Sequence, residues 1–349
     1  MTAFLPPWYL KSGLLMTLYI ATLAKQRWQR YTLDPEPPYQ SHIFSGAHEV
    51  PLYGIVAVPP SPKGTVIGTY GITGNLDNQW FLQILGRKAF ARGYAVVLFD
   101  WRAHGKTAEL SPTLTSDGLY EGIDFVQIAA QAKALGCPAP FWFTGYSLGG
   151  QLALWGLKTA QAVDGIANIS TDEIGGGAVL CPSIDSIRSL QYLVSHPIGR
   201  YIEQAITRQL NLLAWKLYHR HPGEFDSAAI ERANSIWNFD QELVIGRLGF
   251  TSVEDYYTAS SPLSFLPTLK KPTFILYAAD DPLFAPDLIP ELKIACADNE
   301  NIELRLTSHG GHVGYISSQK GQAIANDPDP WWAWNRVLEW IDKTHQHIL

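Results

Sequence analysis

Gly145-Tyr146-Ser147-Leu148-Gly149 falls between an apolar run, Phe141-Trp142-Phe143-Thr144, and a helical stretch, Gln151–Lys158. A strand that turns straight into a helix brings its own backbone atoms very close together. The residues two before and two after the serine must then lack a Cβ, or nearly so. In return the serine Oγ stands above the sheet, near the positive end of a helix. In a chain with 29 glycines the spacing alone is weak, but between a buried strand and a helix it is specific. The plain alternative is a turn serine without chemistry.

The surrounding chain supplies the sheet that such a turn needs. Val66–Tyr70, Ala95–Asp100, Phe141–Gly145, Ala178–Cys181, Thr273–Ala278 and Ile302–Thr307 are short runs, and most are apolar throughout. That is the pattern of strands covered on both faces. Between two of them, Leu119, Ile123, Val126, Ala130 and Ala134 recur at helical spacing. Thr115-Ser116-Asp117 can cap that helix at its start, and Gly136 with Pro138 stops it. Ahead of this alternation, Ile43 to Val58 reads as two antiparallel strands punctuated by Gly46 and Gly54. Together these runs predict an α/β fold: a mostly parallel, eight-stranded sheet flanked by helices. Gly175-Gly176-Gly177 precedes a strand rather than a helix, so a phosphate cradle is not expected there.

Two stretches depart from the alternation. Residues 184–266 carry little strand signal, and Ile202, Ile206, Leu210, Leu213 and Leu217 mark one helix face. They read as a helical, cap-like insertion dividing a core of residues 39–183 and 267–349. An insertion leaving the C-terminal end of a parallel strand would roof a ligand site. Residues 1–38 form an arm that ends at Asp34-Pro35-Glu36-Pro37-Pro38. Its apolar run from Leu14 to Ala24 is too short for a bilayer span, which needs about 20 residues. No small-residue cleavage site follows it, so a secretory signal is not expected. A packed helix is the plain reading. The other is an interfacial helix in which residues 8–30 touch a membrane.

Charge and composition exclude several functions. A net charge of −6 without any Lys/Arg block argues against an electrostatic grip on nucleic acid. Cys137, Cys181 and Cys296 are far apart and the histidines are scattered, so neither metal nor other cofactor is expected. The odd cysteine count suits a reducing compartment, hence a cytoplasmic protein, peripherally membrane-bound if the arm is interfacial. The 12 Trp and 14 Phe fit a large apolar cavity or surface, and a small-molecule or lipid partner.

A serine hydroxyl is inert near neutral pH until a base takes its proton, and the base needs an orienting carboxylate. On this fold the chain order is Ser, acid, His. Asp280-Asp281-Pro282 follows the run Thr273–Ala278, and Ser308-His309-Gly310-Gly311-His312 follows Ile302–Thr307. His312, flanked by Gly311 and by Val313-Gly314, is the preferred base over His309. Asp281 is the preferred acid, with Asp280 the alternative; the aspartate not used would hold the loop through backbone N–H groups. The oxyanion donors would be the N–H of Leu148 and, from Gly71-Ile72-Thr73-Gly74, the N–H of Ile72. Asp100-Trp101-Arg102-Ala103-His104 reads as a loop brace, with Arg102 in an internal salt bridge. These residues point to a serine hydrolase that cleaves carboxylic esters. Acyl transfer or thioester cleavage would use the same groups, and a non-catalytic binding module would be expected to lack one of them.

Ala279-Asp280-Asp281-Pro282-Leu283-Phe284 and Gly310-Gly311-His312-Val313-Gly314-Tyr315 resemble one branch of the α/β-hydrolase superfamily. This is the YheT-like group, with the plant embryogenesis-associated hydrolases and the animal ABHD lipases. Pro7-Trp8-Tyr9-Leu10-Lys11-Ser12-Gly13 with Met16-Thr17 is similar to its N-terminal arm. Phe239-Asp240, Gly249-Phe250 and Asp255-Tyr256-Tyr257 are similar to the stretch before its acid strand. The resemblance implies the α/β-hydrolase fold and a Ser/Asp/His esterase or lipase, with those roles at Ser147, Asp281 and His312. Where that branch has His-Gly at the start of its oxyanion loop, this chain has Tyr70-Gly71.

Overall fold

In a computed structural model, which describes residues 3–163, 166 and 168–348, eight strands form one sheet. They are β1 (Gln40–Ser45), β2 (Pro51–Ala57), β3 (Thr65–Thr69), β4 (Ala95–Phe99), β5 (Phe141–Tyr146), β6 (Ile174–Leu180), β7 (Thr273–Ala278) and β8 (Ile302–Thr307). Their order across the sheet is β1-β2-β4-β3-β5-β6-β7-β8. β2 pairs antiparallel with β1 and β4; every other pairing is parallel. Each residue of β3, β4, β5, β6 and β7 is buried, which is why those runs carry no polar face. On the edge strand β8 only Ile302 is buried.

Three local readings differ from the sequence expectation. Gly175-Gly176-Gly177 lies inside β6 rather than ahead of it. Glycine weakens a strand signal while letting neighbouring backbones approach, so the run reads as a loop until the sheet is assembled. Gly54 likewise sits within β2. The helix Glu121–Ala132 buries Phe125, Val126, Ile128, Ala129 and Ala132, while Ile123 and Ala130 are only half-buried. It is gripped on two sides, by the helix Leu148–Thr159 and by sheet rings such as Phe99 and Phe143, so its apolar arc is wider than one spacing series. No cap side chain bonds at its start. Ser116 instead accepts the Tyr120 N–H at 2.7 Å, and Glu121 turns back to the N–H groups of Ser116 and Gly118.

Between β6 and β7 the described residues form helices only, chiefly Ser186–Ser195, Pro197–Arg220, Ser227–Arg232 and Val253–Ser260. Leu210, Leu217, Phe239, Val244 and Tyr256 build an apolar cluster there, separate from the sheet core but joined by Ala103 and Leu114. In the arm, the helix Gly13–Tyr19 runs through a π turn, Ile20–Ala24, into Lys25–Tyr31. It buries Met16, Ile20, Ala24 and Trp28 against the body. No helix of the described residues is long and apolar enough to cross a membrane. The last helix, Trp332–Ile348, packs Trp334, Val337, Leu338 and Ile341 into the core.

Candidate active site

β5 ends at Tyr146 and the helix Leu148–Thr159 begins one residue after Ser147, which carries the turn alone at φ 55 and ψ −131. Both flanking glycines are required by contact. A Cβ on Gly145 would lie 2.2 Å from the Gly149 oxygen, and one on Gly149 would lie 2.4 Å from the Tyr70 oxygen. A positive φ at a serine is a held strain. Here the Ser147 N–H, bonded to Leu180 O on the neighbouring strand at 3.0 Å, helps to hold it.

The loops after β7 and β8 bring the acid and the histidine to that serine. His312 Nε2 lies 2.8 Å from Ser147 Oγ, and its Nδ1 lies 2.8 Å from Asp281 Oδ2. Asp281 is buried, and its other oxygen accepts the Leu283 N–H at 2.9 Å. Asp280 points elsewhere. Its Oδ1 accepts the Gly311 N–H at 2.9 Å and its Oδ2 stands 3.6 Å from the exposed His309. Burial holds the Asp280 carboxyl above its usual range, against the Gly311 hydrogen bond that lowers it. The ring of Phe284 meets His312 edge-on at 5.1 Å.

The loop after β3 lies against the serine: a Cβ on Gly71 would come within 2.9 Å of the Ser147 Cβ. Tyr70, which replaces the expected histidine, donates its hydroxyl to the buried Asp100. Asp100 also accepts the N–H groups of Leu76 and Lys106, each at 2.9 Å. One carboxyl thus ties the loop after β3 to the loop after β4. His104 adds a second tie by accepting the Thr73 N–H at 3.2 Å and facing Arg102 O at 2.9 Å. Burial pushes the His104 pKa down to about 4, so its ring is neutral and can be acceptor on one side and donor on the other. Arg102 is locked to Asp124 by two contacts of 2.7 Å. Leu148 opens its helix, where first-turn N–H groups have no intrahelical acceptor.

Ser147, Leu148 and Ile72 share one cavity of about 140 Å³. Its far walls come from the helical segment, with Leu190, Ile206, Leu213 and Phe239 among them. Asp117 and Asp240 also reach it, and Asp240 accepts a hydrogen bond from the Tyr257 hydroxyl. A hydroxyl held by an imidazole that is itself anchored on a buried carboxylate is equipped for nucleophilic attack.

The sequence profile of the α/β hydrolase family matches residues 74–326. The chain belongs to that family. A Synechocystis protein, slr0264, provisionally named an esterase, is 56% identical over 348 residues, covering 97% of this chain and 94% of its own. The mouse phospholipase ABHD3 is 27% identical over 259 residues, 74% of this chain and 60% of that protein. Relatives of this kind set the hydrolase in the YheT/ABHD branch that its motifs resemble. Among solved structures, the Pyrococcus furiosus esterase Pf2001 aligns over 99% of both chains with a TM-score of 0.56 at 18% identity, a likeness of fold. Family and relatives together support ester hydrolysis as the reaction class.

Parts of this hydrolase's site were not foreseen. Asp117 reads in sequence as part of a helix cap and Asp240 only as part of a stretch similar to the family branch, yet both are buried at the cavity. Asp100, one residue past β4, lies in the stretch read as a loop brace, and the structure bears that out, although the particular partners, Tyr70 and the Leu76 N–H beside the serine, are not visible in the sequence. Thr17 of the arm accepts the His312 N–H at 2.8 Å, and nothing in the arm's apolar pattern marks it.

Proposed function

We propose that the chain is a carboxylic ester hydrolase working through an acyl-enzyme on Ser147. The observation that carries this reading is His312 standing 2.8 Å from both Ser147 Oγ and Asp281 Oδ2. Ser147 Oγ attacks the ester carbonyl as His312 Nε2 takes its proton. Asp281 holds the Nδ1–H tautomer and stabilises the imidazolium. The N–H groups of Leu148 and Ile72 receive the oxyanion. His312 returns the proton to the leaving alcohol, and water then repeats the sequence to release the acid. The helical segment 184–266 acts as a cap, and its apolar side chains over the cavity favour an apolar acyl chain, hence lipid or medium-chain esters.

A fluorophosphonate probe tests the chemistry. Wild type should be labelled, Ser147→Ala should not, and His312→Ala should label far more slowly. Folded wild type that resists the probe would sink the proposal.

The arm supports a lipid-facing role as well. Trp8, Leu15, Leu18 and Leu23 are exposed beside Lys11, Lys25, Arg27 and Arg30, and no acidic residue precedes Asp34. In a chain of net charge −6, a cationic, apolar surface complements an anionic bilayer. Sedimentation with phosphatidylserine-containing vesicles, absent with purely zwitterionic ones, is the expected result; binding to neither, or equally to both, would remove this part.

A further inference from the structure

We propose that Thr17, on the N-terminal arm, is a positioning residue for the base: its hydroxyl fixes the main chain that carries His312. This rests on the reading of His312 as the base, and it assigns the arm a part in turnover rather than packing alone.

The loop that bears His312 has little backbone order of its own. Gly310, Gly311, Val313 and Tyr315 all have positive φ, so the chain around the histidine makes neither helix nor sheet bonds. Val313 is branched at Cβ and pays most for such a conformation. One internal bond closes the loop, from the Tyr315 N–H to Gly310 O at 3.2 Å, and the rest of its shape is imposed from outside. Two side chains do so on consecutive N–H groups. Asp280 takes that of Gly311 at 2.9 Å, and Thr17 takes that of His312 at 2.8 Å.

The direction of the second bond is unambiguous, because a main-chain N–H can only donate. The Thr17 hydroxyl proton is engaged as well, on Gly13 O one turn back at 2.8 Å. The hydroxyl thus has its donor tied to the arm helix and an acceptor lone pair aimed at His312. Contacts around it hold the arm at one height. A Cβ on Gly13 would fall 1.8 Å from the Asp280 oxygen, so the helix meets the acid loop backbone to backbone. Met16 lies so close to Gly314 that a Cβ there would meet its Cγ at 2.3 Å. Further out, Leu5 O accepts the Ser318 N–H at 2.9 Å, and Phe4 packs its ring on Tyr315 and Trp332, both at 5.2 Å. The arm spans both the acid loop and the histidine loop, and Thr17 is where it touches the chain of the base itself.

Losing that acceptor leaves the buried His312 N–H without a partner. The loop then relieves it by shifting, and an imidazole displaced from Ser147 is a poorer base. The test compares full-length wild type, Thr17→Val, Thr17→Ser and His312→Ala on a short 4-nitrophenyl ester. Rates are scaled to the native fraction from near-UV circular dichroism. Thr17→Val should lower kcat about tenfold or more with KM within about twofold, and slow fluorophosphonate labelling in parallel. Thr17→Ser, which keeps the hydroxyl, should recover most of the loss. A Thr17→Val chain with wild-type kcat per native molecule overturns the proposal, and so does a Thr17→Ser chain as slow as Thr17→Val. His312→Ala separates the two readings: if it retains wild-type turnover, the assignment of the base fails first.

Discussion

Adjacent aspartates offer a severe check on the site, because an amide can replace one of them and not the other. Asp281 uses both oxygens as acceptors, one for His312 Nδ1 and one for the Leu283 N–H at 2.9 Å. Asparagine has a single acceptor. In Asp281→Asn the NH2 must face either the Leu283 N–H, donor against donor, or the imidazole. In the second case the ring proton moves to Nε2 and the nitrogen facing Ser147 can no longer accept. Loss of the correct tautomer costs roughly 10³–10⁴ in kcat, or about 4–5.5 kcal/mol of barrier. Asp280 is different. One oxygen accepts the Gly311 N–H, and the other is buried without a hydrogen-bond donor. Asp280→Asn keeps the Gly311 bond through its carbonyl and puts NH2 where no acceptor is required. Its kcat should stay within about threefold of wild type, since only a long contact to exposed His309 is lost. Steady-state turnover of a 4-nitrophenyl ester, with circular dichroism to verify folding, reads the contrast directly. Equal losses in the two variants, or Asp281→Asn above a tenth of wild-type kcat, would refute the reasoning.

Three further outcomes follow from the cavity and its braces. Burial, and then the charge of Glu121, push the Asp117 pKa up to about 7, so from about pH 4 to 7 the folded state holds a proton that the unfolded state has released. Stability should therefore fall as pH rises through that window, by up to about 4 kcal/mol, with Asp240 shifted in the same direction. Urea unfolding of Asp117→Asn should show a shallower decline than wild type, and parallel curves would contradict this. Leu213→Trp should crowd the cavity and lower the preference for octanoyl over butyryl esters by about tenfold or more, at about 0.8 kcal/mol for each methylene excluded; an unchanged kcat/KM ratio would place the acyl chain elsewhere. Tyr70→Phe removes one donor from Asp100 but leaves the N–H groups of Leu76 and Lys106. It should cost about 1–3 kcal/mol of stability and a modest part of kcat, and a fully wild-type variant would mean the Tyr70 hydroxyl does not brace the loop.

What could be read in advance divides along the range of the physical cause. The elbow is legible because strand, turn and helix are contiguous in the chain, even though one of its glycines, Gly149, is required by the distant Tyr70 backbone, and the order Ser, acid, His belongs to this fold. The choice between Asp280 and Asp281 depends on which way two neighbouring carboxyls turn toward the N–H groups of Leu283 and Gly311, and no spacing encodes that. The buried face of Glu121–Ala132 was only partly legible, since periodicity assumes one packing surface and this helix has several. Asp117 looks like a cap because it stands before a helix, but it is the cavity that decides its surroundings. Thr17 is the extreme case. Its partner is 295 residues away, and a threonine hydroxyl in a helix most often returns only to the carbonyl one turn back, as this one also does.

That long-range contact has a dynamic consequence. The arm is held by Leu10, Met16, Ile20, Ala24 and Trp28, whereas the strands beneath the site are buried on every side. A segment held by fewer buried side chains opens at lower free energy than the sheet. If the arm undocks as a unit, it takes the Thr17 hydroxyl with it, and the His312 amide loses its acceptor at the same moment. Native-state hydrogen exchange should therefore place His312 with Met16 and Ile20, at an opening free energy below that of β5 and β7. Thr17→Val should speed exchange at His312 while leaving β5 unchanged. An amide at His312 that exchanges only with the sheet, through global unfolding, would mean that the arm does not open independently of the core.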